Sequence, residues 1–127
     1  MTARVLVVDD VLANVKLLEA RLSAEYFDVA TATSGDEALR ICERAECDIV
    51  LLDVMMPDMD GFEVCRRIKA NRKTHHIPVV AVTAFAMKGD EERIREGGCE
   101  AYLSKPISVG KFIETIRHFL GNEEARR

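Results

Sequence analysis

Four short apolar runs in this chain end on polar or charged residues. RVLVVDD at 4–10 stops on Asp9 and Asp10, IVLLD at 49–53 on Asp53, IPVVAVTA at 77–84 on Thr83, and AYLSKP at 101–106 on Lys105. Three carboxylates brought together repel one another and raise one another's pKa. A hard divalent cation relieves that crowding. Mg2+ takes oxygen ligands in octahedral geometry and keeps several waters, so one or two direct carboxylates suffice, with Mn2+ as the alternative. Lys105 adds a positive charge and Thr83 a hydroxyl. A carboxylate nucleophile, a divalent ion, a lysine and a hydroxyl form the kit of a phosphoryl-transfer site, where positioning and charge neutralisation do most of the catalysis.

Roles can be assigned from position along the chain. Asp9 and Asp10 are consecutive, so their side chains are expected to diverge, Asp10 binding the metal directly and Asp9 directly or through water. Asp53 stands alone on its run and is the expected phosphate acceptor and a further metal ligand. The backbone carbonyl of Met55, two residues on, is placed to reach the same ion. Lys105–Pro106 is a candidate cis peptide in a tight turn that would aim the lysine. Gly61 is expected to let the loop after Asp53 take a positive φ.

The elements that must position these residues alternate between β-type and helical patterns. Strands are predicted over 4–8, 28–32, 48–52, 78–82 and 100–103. The first helix is marked by Val11, Val15, Leu18 and Leu22 on one face. A second opens at Ser34, which with Glu37 has the capping-box spacing. A third covers 62–70, with Phe62, Cys65 and Ile68 or Lys69 as its turns. The segment 87–98 carries few apolar residues, Met87 and Ile94, and stops at Gly97–Gly98. The last helix has Ser108 as N-cap and Val109, Phe112, Ile113, Ile116 and Leu120 facing inward. Five β/α repeats in this order imply an α/β, doubly wound parallel sheet with helices on both faces. Ligands of such sheets gather beyond the carboxyl ends of the strands, where all five candidate residues lie.

At 127 residues the chain suits a single domain, expected over 1–122 with a charged tail at 123–127. With 48% hydrophobic and 31% charged residues it is a folding composition rather than a disordered one. The net charge of −4 argues against direct nucleic-acid or anionic-membrane binding. No apolar run approaches membrane-spanning length and no signal peptide is evident, so a cytoplasmic location is expected. Cys42, Cys47, Cys65 and Cys99 show no zinc or redox spacing, and Cys42, Cys65 and Cys99, in helical or flanking apolar patterns, read as reduced packing residues. DMDG at 58–61 fails as a calcium loop, because Arg67 falls where the bidentate acid belongs. His75 and His76 read as a solvated loop, and His118 as an exposed helix position. An aspartyl phosphatase is disfavoured by Met55, which stands where a second acid is commonly needed. A nucleotide or flavin domain is disfavoured by acid rather than glycine or hydroxyl after the first strand.

The fragments VVDD, LLDVMMPDMDG, VTA and SKP, at these spacings, resemble the receiver domains of bacterial two-component response regulators. The resemblance spans essentially the whole chain. VLVVDDVLANVKLLEARLSAEYFDV and DIVLLDVMMPDMDGFEVCRRIK look like the receiver at the front of diguanylate cyclase regulators. IPVVAVTAFAMKGDEERIREGGCEAYLSKPIS looks like free-standing receivers of cell-division and cell-fate phosphorelays. The resemblance implies a flavodoxin-like (βα)5 fold with strand order 2-1-3-4-5. It implies an aspartyl phosphate on Asp53, donated by a histidine kinase or phosphotransfer protein, with phosphoryl-binding by Thr83, Ala84 and Lys105.

A switch through Thr83 and Tyr102 would then report to a downstream protein target, in a phospho-accepting signalling domain rather than an enzyme in the usual sense. It places kinase contacts near Asn14, Leu17, Leu18, Pro57, Phe85 and Ile107. A homodimer through the face of helix four, strand five and helix five would involve Arg93, Lys111 and Arg117. Pro106 completes the lysine's turn.

Overall fold

The computed structural model describes residues 3–56, 61–83 and 90–120. Along the chain run β1 (Arg4–Val8), α1 (Leu12–Ala24), β2 (Asp28–Ala32), α2 (Gly35–Glu43), β3 (Ile49–Asp53), α3 (Gly61–Ala70), β4 (Val79–Thr83), α4 (Asp90–Glu96), β5 (Ala101–Ser104) and α5 (Val109–Leu120). All strands pair in parallel, in the order β2-β1-β3-β4-β5. The predicted strands are all present, three of them displaced by one residue. Pro57, Ala84, Phe85, Met87, the acids of DMDG and the tail at 123–127 lie outside the described residues.

The central strands are apolar on both faces because both faces are covered. Val5, Val7, Ile49, Leu51, Val80 and Val82 pack with Leu18 and Leu22 of α1 and Phe112, Ile113 and Ile116 of α5. Leu6, Val8, Val50 and Leu52 point the other way, onto Ala38 and Cys42 of α2 and Val64, Cys65 and Ile68 of α3. Helix α4 is anchored through Ile94, which meets Val54, Phe62 and Ala81.

Helix starts follow side-chain chemistry. Ser34 Oγ accepts the Glu37 N–H at 3.2 Å, while the Glu37 carboxylate accepts the N–H of Thr33, one residue before the cap. Ser108 Oγ accepts the Lys111 N–H. Helix α1 departs from expectation. It starts at Leu12, and Val11 is its cap residue, half-exposed rather than part of the inward face. The turn out of β1 is held instead by Asp9, whose carboxylate accepts the Val11 N–H at 2.9 Å. That turn carries Val11 out to the rim of the strand ends.

Gly61 also differs from expectation. Its φ is not in the left-handed region, so no positive φ is what requires a glycine there. Space is the requirement. A Cβ at this position would lie 2.4 Å from Val54 Cα and 2.7 Å from the Asp53 carbonyl oxygen. The first turn of α3 is thus pressed against the backbone that carries Asp53, with the Gly61 N–H donating to the Val54 carbonyl.

Three helices close with the same pair of hydrogen bonds. Tyr26 and Phe27 donate to Ser23 and Leu22, Ala45 and Glu46 to Cys42 and Ile41, and Gly98 and Cys99 to Arg95 and Ile94. The middle residue of each turn has positive φ: 70° at Tyr26, 59° at Ala45 and 88° at Gly98. Only the third is the glycine that this conformation favours.

Two stability predictions follow from these backbone constraints. Tyr26→Gly and Ala45→Gly should each stabilise the fold by about 0.5–1 kcal/mol, because the left-handed cost of about 1–2 kcal/mol exceeds the added unfolded-chain entropy. A higher urea midpoint at unchanged slope would show it; a lower midpoint would contradict it. Gly61→Ala should cost about 3 kcal/mol, since the clash is with backbone that cannot step aside. An unfolding midpoint within error of the parent would refute the close-approach account.

Candidate functional site

The parallel register brings the expected residues to one end of the sheet. Val8 of β1 pairs with Leu52 of β3, so Asp9 and Asp53 leave the sheet side by side. Asp53 pairs with Val82 of β4, and Thr83 with Ser104 of β5, which puts Lys105 just beyond. The Lys105 N–H donates to the Thr83 carbonyl at 2.9 Å, and the Lys105–Pro106 peptide is cis.

One carboxylate oxygen from each of Asp9, Asp10 and Asp53 lies within 4.8 Å of the others. Asp9 and Asp10 differ in exposure, the first buried and the second open to solvent, yet both reach the cluster. Asp53 is only 4% exposed and Thr83 fully buried. The two oxygens of Asp53 have separate partners. Oδ1 accepts the Met55 N–H at 2.9 Å and Oδ2 the Lys105 ammonium at 3.2 Å. The Asp9 carboxylate accepts the Val11 N–H and, at 3.2 Å, the Asn14 side-chain amide. Burial raises the Asp9 pKa above the ordinary carboxylate range, and the Asp53 charge adds to that. The Val11 N–H, the Asn14 amide and the Lys105 charge pull it back.

Three acids facing one ammonium leave the cluster short of positive charge. Its ligands are all oxygens, which suits a hard divalent cation of the Mg2+ class. From the sequence, Asn14 is expected only at a partner contact. Its additional bond to Asp9 depends on a helix starting at Leu12, which no local motif announces. Met55 and Met56 separate: Met55 is exposed beside the acids and Met56 is buried in the core. His75, His76 and His118 are exposed, as expected of solvated positions. Tyr102 sits on β5, 37% exposed.

A cleft of ≈ 470 Å3 opens beside the acids, between α1 and the connection from β5 to α5. Asp9 and Lys105 form its polar edge, and Leu17, Leu18, Pro106 and Ile107 its apolar wall. Val11, Leu12, Leu17 and Met55 are large apolar side chains exposed around the same end of the sheet.

Residues 5–117 match the response regulator receiver domain. The polar-differentiation response regulator DivK of Brucella ovis is 49% identical over 122 residues, covering 96% of this chain and 99% of the relative. DivK of Brucella anthropi is 48% identical over the same length. Among solved structures, the chemotaxis protein CheY4 of Vibrio cholerae superposes with a TM-score of 0.88 at 27% identity, over 94% of this chain and all of that one. A sensor histidine kinase receiver domain from Pseudomonas aeruginosa PAO1, solved with a magnesium ion coordinated in its active-site cleft, gives 0.87 at 30% identity, over 96% of this chain and all of that one. The sheet order, the clustered acids and these likenesses agree: the chain belongs to the receiver domain family of two-component response regulators.

Proposed function

We propose that Asp53 is the phosphoryl acceptor of this response regulator, the donor being a phosphohistidine on a histidine kinase or phosphotransfer protein. What supports this is the placement of Asp53: a buried carboxylate at the centre of the sheet, held on one oxygen by a backbone N–H and on the other by Lys105. An Asp53 oxygen attacks phosphorus, the P–N bond breaks, and the imidazole leaves to take up a proton. Asp9, Asp10, Asp53 and the Met55 carbonyl would hold Mg2+, with Mn2+ able to replace it. The ion supplies charge neutralisation for the phosphoryl oxygens. Lys105, Thr83 and the backbone of Ala84 bind those oxygens once they arrive.

The new charge draws Thr83 toward the phosphoryl group, and Tyr102 rotates into the space vacated. This biases a two-state equilibrium read by a downstream protein on the face of α4, β5 and α5. That face is also where a second copy would pair. Kinase contact falls on the apolar rim, at Asn14, Leu17, Leu18 and Ile107. The likeness to DivK supports a role in cell-cycle or polarity signalling; a cytoplasmic location is part of the same proposal. No helix among the described residues is long and apolar enough to cross a membrane. Residues 1–122 act as one receiver unit, with 123–127 as a tail.

Incubation with Mg2+ and acetyl phosphate, followed by intact-mass measurement, tests the acceptor. The expected result is one labile phosphoryl group per chain, absent in Asp53→Asn and absent in chelator. An adduct that persists in Asp53→Asn, or none in the parent, would overturn the assignment, and steady turnover of phosphoesters would favour a phosphatase. Lys105→Met should also destabilise the metal-free protein by about 1 kcal/mol, a value discounted for the lysine's partial exposure. The loss should shrink in high salt. Equal denaturation midpoints for parent and variant in low-salt chelating buffer would count against an ammonium that restrains the acids.

A further inference from the structure

We propose that Cys65 and Cys99 are a redox-active pair that closes into a reversible disulfide, fastening the turn between α4 and β5 to helix α3. Cys65 is fully buried on α3, and Cys99 lies partly exposed in that turn. The Cys99 thiol donates to the Cys65 sulfur at 2.7 Å, and the Cys65 thiol donates to the Gly97 carbonyl at 3.4 Å. A covalent S–S bond is about 2.05 Å long, so from 2.7 Å closure needs a shift of about 0.7 Å, within side-chain motion.

The surrounding backbone is held in place by its neighbours. One turn further along α3, the Lys69 ammonium donates to the Glu100 carboxylate and the Ile77 carbonyl, both at 2.6 Å. Gly98 lies over the Lys69 stem, where a Cβ would come within 3.1 Å of Lys69 Cγ. Residues 97–100 are thus held against α3 on both sides of Cys99. The other two thiols, Cys42 and Cys47, are 3.7 Å apart and both buried, so an oxidant in solution does not reach them. Cys99 is the one of the four cysteines that is partly exposed, and Cys65 stands behind it as the resolving group.

The oxidant is a low-molecular-weight disulfide such as oxidised glutathione. Cys99 gives its proton to solvent base, and its thiolate attacks one sulfur of the oxidant. A mixed disulfide forms, and one small thiolate leaves and takes up a proton. Cys65, deprotonated in turn, attacks the Cys99 sulfur and displaces the second small thiolate, which is also protonated. Two protein thiols become one disulfide, and one oxidant disulfide becomes two small thiols. The hydrogen bond to Cys65 and burial hold the Cys99 thiol well above its ordinary pKa, so the first step quickens as pH rises. Once formed, the link spans 34 residues of sequence and holds the end of α4 against α3, whatever the acid pocket carries.

The test uses the full chain, equilibrated with excess oxidised glutathione at mildly alkaline pH, alkylated, digested and mapped by mass spectrometry. The expected product is an intramolecular Cys65–Cys99 peptide that dithiothreitol reverses. Amide exchange over 95–100 should slow roughly tenfold in the oxidised form, and the Tm should rise. Cys99→Ser, a change at a partly exposed site, should yield no intramolecular link. Four alkylatable thiols after oxidation would overturn the proposal. So would glutathione retained on Cys99 as the end product, a Cys42–Cys47 link, or an interchain disulfide. None of these outcomes depends on phosphorylation of Asp53.

Discussion

Three carboxylates must sit together at one end of a sheet before any ion or phosphoryl group arrives, and much of the molecule is arranged around that repulsion. Two of the three are buried, so they have also lost most of their water. The compensation comes from donors on separate elements. The entry to α1 supplies the Val11 N–H and the Asn14 amide, the chain after β3 supplies the Met55 N–H, and the chain after β5 supplies Lys105. The first three lie within five residues of the acid they serve, whereas Lys105 reaches Asp53 across 52 residues, through the sheet. A one-residue slip of β3 would turn Asp53 to the opposite face and leave Lys105 and Asp9 without it.

The close approach of Gly61 serves the same end. Because α3 starts hard against Val54 and the carbonyl of Asp53, the backbone bearing Asp53 cannot shift without moving a helix. Rigidity here suits the proposed transfer, because small displacements of a reacting oxygen are costly in such chemistry. The left-handed residues Tyr26 and Ala45 sit at the opposite ends of their helices from the acid pocket. Their strain is a property of the chain reversals into β2 and β3.

Anchoring is uneven across the sheet. Helices α1, α2, α3 and α5 each bury several apolar residues, whereas Ile94 is the buried apolar anchor among the described side chains of α4. The end of α4 is moored by other means: the Lys69–Glu100 pair, the Glu100 carboxylate on the Val79 N–H, and the thiol chain from Cys99 through Cys65 to Gly97. These are polar or sulfur contacts, which small changes in chemistry alter more readily than a packed core.

The sequence by itself determined the kind of fold and the set of chemistry-bearing residues. Apolar runs too continuous for a half-exposed sheet required cover on both faces, and runs that end on Asp9, Asp10, Asp53, Thr83 and Lys105 marked the strand ends. These signals are local, because strand period and terminal residue type are both read within a few positions. The motif spacings added the strand order through family resemblance. Tertiary structure alone decided the rest. Val11 left the helical face because Asp9 caps the turn before it. Gly61 proved necessary for space, through a neighbour seven residues away that only folding makes a contact. Asn14 became a partner of Asp9, and Cys65 met Cys99 across 34 residues. Such pairings depend on how helices lie on the sheet, and that distance information is absent from any short stretch of chain.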